Sequence, residues 1–361
     1  MKKSINILFH LAFVILVAAS CGGGTSSDVK DFKLEKTDYK DWAKLLDVES
    51  AVQLQENDSC LMSFALKCIF TNDCIVFWEY KAKKIYTFSY DGRFLRQIGR
   101  MGHSASEYSN IDDICMSGND PVMMLLDNRG VVCYDVNSGK FVGRKRLFSQ
   151  KFGEYQRIAP VGNSEFLCST YSETPSSIVL DCPKGQVGLR EGKRFHLGTD
   201  CFYKYKDNYR VVSDYGDFYI DSYENGKLKT LYKIDLGAQA LPENVLPKTS
   251  KEFETVDNSP EYFKCISYTY ETSGWLFLRL AGPNQEYYAA FINKHNGAYA
   301  LGREAPLGLT VMGVKDNCFY ALVYPNEEEQ GTLGRKILDK HNITKNSPVV
   351  VKLKLNENIL R

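Results

Sequence analysis

The sequence predicts an all-β fold, a six-bladed β-propeller of four-stranded antiparallel blades, closed by an N-terminal strand that joins the last blade. Three observations carry this. The first is a unit written twice between residues 74 and 155. Cys74–Tyr80, Ile85–Tyr90, the Asp91-Gly92 turn and Phe94–Ile98 recur as Val122–Leu126, Val131–Val136, Asn137-Ser138-Gly139 and Phe141-Val142. The turn glycine and the Glu-Tyr pair (Glu107-Tyr108, then Glu154-Tyr155) both move by 47 residues, a step that suits one blade. The second is the series of turn glycines Gly92, Gly139, Gly185, Gly226 and Gly297, with steps of 47, 46, 41 and 71. The third is a lone alternating run, Ala51–Gln55, ahead of the first unit, and a strand-like Val349–Leu355 after the last. Pairing the two shuts the ring and removes an exposed edge.

Met1-Lys2-Lys3 precedes an apolar run from Ile5 to Ala19, and Ala18-Ala19-Ser20 leads into Cys21. The run is shorter than the roughly 20 residues a membrane span needs, so residues 1–20 are expected to be a signal peptide. Small residues before a cysteine resemble a lipobox, which marks Cys21 as the expected lipidation site and the membrane as a partner through that lipid. Residues 21–36 are polar and lack periodicity, as a flexible tether does, leaving 37–361 as the propeller domain. Trp42, Leu45 and Leu46 share a face of a short helix over 41–46. Blade three is expected from Tyr155 to Leu189. Blade four holds Tyr209–Val212, Asp217–Ile220 and Leu228–Ile234, with an Asn225-Gly226 hairpin turn. An insertion over 237–261 carries Pro242, Pro247 and Pro260 before blade five, which ends beyond a second such turn at Asn296-Gly297. Blade six starts with Leu309–Val314 and Cys318–Tyr324. A helix is expected within 325–342, where Leu333, Ile337 and Leu338 keep helical spacing.

The formal net charge is +1, and removing Lys2 and Lys3 with the signal leaves 43 basic against 44 acidic side chains. Nothing in that balance draws nucleic acid. Besides Cys21 there are ten cysteines without a Cys-x-x-Cys pair, mostly inside apolar runs, and they are expected to be mainly free core thiols.

The hairpin from Phe88 to Phe94, the segment Gly99-x-x-Gly102 to Glu107-Tyr108, Tyr232–Gly237 with Leu241-Pro242, and the ending Asn346–Lys354 together span most of the chain. On these the sequence resembles the NHL-related six-bladed propeller lipoproteins of Bacteroides-type bacteria. One departure is local: Ser104-Ala105-Ser106 stands where relatives carry Gly-Pro-Gly. The resemblance implies an outer-membrane lipoprotein, on its periplasmic or surface face, and a monomer.

Chemistry is sparse. His103, Ser104 and Glu107 lie close together, but one loop seldom aims a base at a nucleophile while a third group orients it. His103, His196 and His295 are spaced by 93 and 99 residues, about two blades each, yet no metal site is expected, and no cofactor. No Asp-x-Asp-x-Asp-Gly loop supports calcium at Asp112-Asp113 or Asp127-Asn128. The expected ligand-binding residues are Arg96, Arg100, His103, Glu107 and Tyr108, beside the first blade's turn glycines. The functional expectation is a binding protein for a glycan, peptide or protein partner, without catalysis. The alternative is a lyase or hydrolase with its site in the propeller funnel.

Overall fold

Short runs of β-branched and aromatic residues, cut by turn residues, build the computed structural model, which describes residues 29–35, 38–118, 121–147, 154–171, 174–192, 200–326, 329–344 and 346–360. The chain starts with β1 (Lys30–Lys33), a single helical turn α1 (Trp42–Leu45) and β2 (Leu46–Gln53). Blade one follows as β3 (Ala65–Phe70), β4 (Ile75–Glu79), β5 (Lys84–Phe88) and β6 (Phe94–Ile98). Blade two is β7 (Asp113–Met116), β8 (Val122–Asp127), β9 (Gly130–Asp135) and β10 (Phe141–Lys145); blade three is β11 (Tyr155–Gly162), β12 (Glu165–Thr170), β13 (Ser176–Cys182) and β14 (Gly185–Glu191). Blade four is β15 (Phe202–Tyr205), β16 (Asn208–Val212), β17 (Tyr219–Glu224) and β18 (Lys227–Asp235). After an insertion with α2 (Ser250–Asp257), blade five is β19 (Cys265–Glu271), β20 (Trp275–Ala281), β21 (Tyr287–Asn293) and β22 (Tyr299–Arg303). Blade six takes β23 (Thr310–Lys315), β24 (Cys318–Val323), then α3 (Leu333–Lys340) and β25 (Val349–Leu355).

Each blade is an antiparallel sheet, and β2 completes blade six by pairing antiparallel with β25, Ala51 opposite Val351. The ring is therefore closed by hydrogen bonds between the two ends of the chain. The closing strand begins five residues earlier than expected, at Leu46, because α1 lasts only one turn. All five turn glycines of the series have positive φ, from +72° at Gly139 to +118° at Gly185, and sit in or beside the turn between the third and outermost strands of blades one to five. Only glycine adopts that backbone region at little cost, which is why this mark survives where the strands diverge.

The strands alternate between two dry faces. Ile75, Phe77 and Phe88 pack with Met312, Tyr320 and Leu322 of blade six, while Val76, Trp78 and Ile85 pack with Met123, Leu125 and Val132 of blade two. A strand buried on both faces reads as a continuous apolar run. Between blades five and six, Phe277, Phe291 and Phe319 meet at ring-centroid distances of 5.0 to 6.2 Å.

The N-terminal boundary differs from the expectation. Lys30–Lys33, assigned to the tether, adds to blade four as a fifth strand parallel to β18, with Phe32 and Leu34 buried beside Tyr232 and Ile234. Two apolar residues in an otherwise charged stretch suffice, since they cover the exposed outer edge of that blade. The signal peptide, Cys21 and the rest of the tether up to residue 28 lie outside the described residues. The 237–261 insertion folds α2 over Tyr215, Leu241 and Cys265 through Val256, and Thr249 caps it by accepting from the Glu252 amide at 3.2 Å. The helix expected within 325–342 is α3, its buried stripe Leu333, Ile337 and Leu338. The ten cysteines beyond Cys21 are all free, nine of them buried and Cys115 half-buried. Among the described residues no helix is long and apolar enough to cross a membrane.

Candidate functional site

The first strands of the blades, β3, β7, β11, β15, β19 and β23, touch one another in sequence and form a closed ring around the axis. Their side chains therefore line the axial channel. Lys67 of β3 reaches across it: its Nζ lies 2.9 Å from Asp113 Oδ1 at the start of β7 and 2.7 Å from Asp200 Oδ1 just ahead of β15. Asp113 also accepts the Ile158 amide at 2.9 Å. Burial works against the Lys67 charge, but the two carboxylates outweigh it and hold the ammonium protonated beyond its usual range. Burial pushes the Asp113 carboxyl up. It also raises the Tyr270 hydroxyl far above its ordinary range, with Asp200 adding to the effect.

Lys67, Asp200, Tyr270 and Met312 are shared by two cavities, one on each side of them. They partition the channel into two blind funnels. The funnel at the ends of the inner strands, about 440 Å³, is bordered by Lys204, Lys206, Tyr209 and Lys315. The funnel at their starts, about 250 Å³, has a different wall: Phe64, Trp78, Tyr268, Tyr287 and Tyr324, with Arg279 among them. We call this second opening the mouth. Phe64 and Tyr324 stack with centroids 6.1 Å apart, and the Arg279 guanidinium lies 3.6 Å from the Tyr287 ring centroid. Arg279 Nε also donates to Glu304 Oε2 at 2.8 Å. Burial opposes the Arg279 charge, but Tyr268 and Glu304 outweigh it, so the guanidinium stays charged.

The rim of the mouth is apolar and wet. Phe64 is 41%, Leu66 38% and Tyr287 42% exposed. Exposed Tyr80 continues the patch, its amide bonded to the Phe64 carbonyl at 3.0 Å. Among the described residues, none of the exposed large apolar side chains borders the opposite funnel. Across Tyr287, Thr310 and Tyr324 the mouth runs into a groove of about 400 Å³ between blades five and six.

The five residues singled out from the sequence lie elsewhere. The 99–112 segment links outer strand β6 to inner strand β7, so it sits on the mouth's face but outside the funnel wall. Glu107 accepts from Arg100 Nε at 2.6 Å and from the Ser104 amide at 3.0 Å. The Ser104 amide first, then Arg100, holds its carboxyl down at about 2. Tyr108 is fully buried and donates to the Lys83 carbonyl at 3.1 Å. Arg96 donates to the Val136 carbonyl at 3.0 Å, joining blade one to blade two. Arg100 and His103 are exposed. Arg129 clasps the segment from below, donating to the carbonyls of His103 at 3.0 Å and Glu107 at 2.6 Å. In the second Glu-Tyr copy Tyr155 is buried too, but its hydroxyl donates to Asp181 at 2.8 Å, so the repeat preserves burial and not the bond. His103 lies on the mouth's face and His295 in the β21–β22 turn on the other, while His196 is outside the described residues. No group of three His, Cys, Asp or Glu side chains among the described residues is placed to hold a metal.

The mouth residues carry little signal in the sequence: Trp78 and Tyr287 fall in ordinary strand runs.

Six antiparallel blades around a partitioned axial channel define the chain as a six-bladed β-propeller. It belongs to the family described as a domain of unknown function, DUF4934, whose model matches residues 34–333. Two solved structures share the fold. One is a Bacteroides fragilis protein described as exported, with a TM-score of 0.72 and 18% identity over 91% of this chain and 100% of the other. The second is a DUF4221 family member from Bacteroides vulgatus, with a TM-score of 0.55 and 9% identity over 87% of this chain and 99% of the other. At these identities the likeness is one of fold. No curated protein matches the sequence.

Proposed function

We propose that this is a lipid-anchored binding protein of the bacterial cell envelope, tethered at the outer membrane through Cys21, that takes a glycan, peptide or protein ligand at the mouth without catalysis. The observation that carries the reading is the wet apolar rim. Burying one aromatic side chain is worth about 1.5–3 kcal/mol, so a folded chain that leaves Phe64, Leu66 and Tyr287 in water around one concavity is primed for a ligand that covers them. The cations behind the rim are not placed to take up a proton. Lys67 is held protonated by two acids, and Arg279 is tied to Glu304. A ligand larger than the funnel would also meet exposed Arg100 and His103 on the same face.

The test probes glycan and peptide arrays with the soluble domain and with a Phe64→Ala/Tyr287→Ala variant. Binding that the variant loses supports the mouth. Binding that the variant retains removes it. Mass spectrometry of the mature N-terminus tests the anchor separately, and an unmodified Cys21 would end that part.

A further inference from the structure

We infer that the mouth reads the end of an uncharged oligosaccharide, with the terminal sugar in the funnel and the next units lying over Tyr287 and Tyr324 into the groove between blades five and six. This rests on the mouth being the binding site and names what occupies it. Three observations converge.

The funnel is blind. The Lys67–Asp200 pair, with Tyr270 and Met312, closes it at the partition, so a polymer cannot thread through and only a terminus or a side branch can enter. Its volume of about 250 Å³ falls below the roughly 300–1,000 Å³ of pockets that take a drug-sized ligand. One small unit fits, and the remainder of a longer ligand must leave by the adjoining groove of about 400 Å³.

The funnel is also electrically balanced. Lys67, Arg157 and Arg279 line it; Lys67 is paired with Asp113 and Asp200, Arg279 with Glu304, and Arg157 donates to the Asp112 and Gln156 carbonyls. A peptide terminus brings a full ammonium or carboxylate charge, which would have to be desolvated there beside cations and anions already bonded within the wall. A sugar terminus brings none.

Finally, the wall offers aromatic faces together with unpartnered donors. Trp78 Nε1 and the Tyr268 hydroxyl are buried and have no hydrogen-bond partner among the described residues, and both side chains line this cavity. Buried donors are normally satisfied. A ligand dense in neutral hydroxyl and ether oxygens, and with C–H faces to lay against rings, supplies what both features lack.

The experiment screens the soluble domain against an array of neutral and acidic oligosaccharides of two to six units, with a peptide array alongside. The inference expects binding to neutral linear oligosaccharides. A chemically modified terminal sugar should weaken it at least tenfold. Tyr287→Ala should do the same, while Tyr287→Phe stays within about threefold, because the ring rather than the hydroxyl is used. Trp78→Phe, which keeps a ring and removes the donor, should cost a severalfold loss. Binding confined to acidic glycans, indifference to the modified end, or no neutral glycan bound overturns the inference. If peptides bind instead and Tyr287→Ala abolishes that, the mouth stands as the site with another occupant. If neither array binds, both readings fall.

Discussion

The Lys67 ammonium lies 2.7 Å from the Asp200 carboxylate and spans the channel, joining the innermost strand of blade one to the segment that enters blade four. Replacing it by methionine keeps the length of the side chain but strands two acids. Removing one member of a buried ion pair typically costs about 3–5 kcal/mol. Lys67→Met is expected to lose about 3 kcal/mol in urea unfolding, and Lys67→Met/Asp200→Asn to recover part of it. Equal losses would show that the two groups are not coupled.

Lys67 also sets an alkaline limit. Its folded-state pKa is raised above the unfolded value, so its contribution is complete below the ordinary lysine range and is lost as pH climbs through the raised value. Thermal melts from pH 10 to 12, through and above the ordinary lysine pKa, should decline more steeply for the wild type than for Lys67→Met.

At the seam, Glu49 of β2 pairs with Lys352, at 2.8 Å, and with Lys354 of β25, and these lysines hold its carboxyl down at about 2. A depressed carboxyl stabilises above its unfolded pKa, and that contribution fades as pH falls from about 4.5 toward 2. Melting temperatures between pH 5 and 3 should therefore fall less for Glu49→Gln than for the wild type. Parallel curves would remove Glu49 from the closure.

Two turn glycines provide a matched comparison. A Cβ at Gly92, φ +85°, would meet the Gln53 carbonyl oxygen at 2.3 Å, whereas one at Gly226, φ +80°, meets nothing within 4 Å. Both alanine variants bear the left-handed backbone cost of about 1–2 kcal/mol. Gly92→Ala should lose more, because it also pushes on the closing strand, whose neighbour Gln55 donates to the Gly92 carbonyl at 2.8 Å.

Between blades four and five, Glu271 is fully buried and accepts from Arg210 at 2.7 Å, Lys294 at 2.8 Å, Tyr232 at 2.9 Å and Tyr203 at 3.2 Å. Glu271→Ala leaves two buried cations without an acid and is expected to cost about 3–5 kcal/mol. Glu271→Gln, which retains acceptor capacity, should cost less. Chemical denaturation of the two variants decides it.

Much of this fold was visible before any coordinates, for specific reasons. The turn between a blade's third and fourth strands takes positive φ, so Gly92, Gly139, Gly185, Gly226 and Gly297 mark blades one to five even where strands diverge. Middle strands such as β4 and β8 are buried on both faces and show as unbroken apolar runs. The inner strands β3, β7 and β15 escaped notice. They are four to six residues long and carry Lys67, Asp113 or Lys204, so they lack the alternation that announces a strand. The mouth is hidden with them, since the inner strands build its wall. His103 and Glu107 crowd together along the chain because they lie in one loop folded on itself.

The sequence by itself determined the number of blades, the turns between their outer strands and the pairing of the chain's two ends, because each depends on local backbone demands or on apolar runs that repeat along the chain. Only the tertiary structure decided which side chains gather at the axis. Lys67, Asp113 and Asp200 look like three separate surface charges until the ring brings them to one axis, and Phe64, Tyr287 and Tyr324 look like ordinary strand aromatics until three blades place them around one opening. Contacts between residues far apart in the chain leave no periodic trace, and the mouth is made of little else.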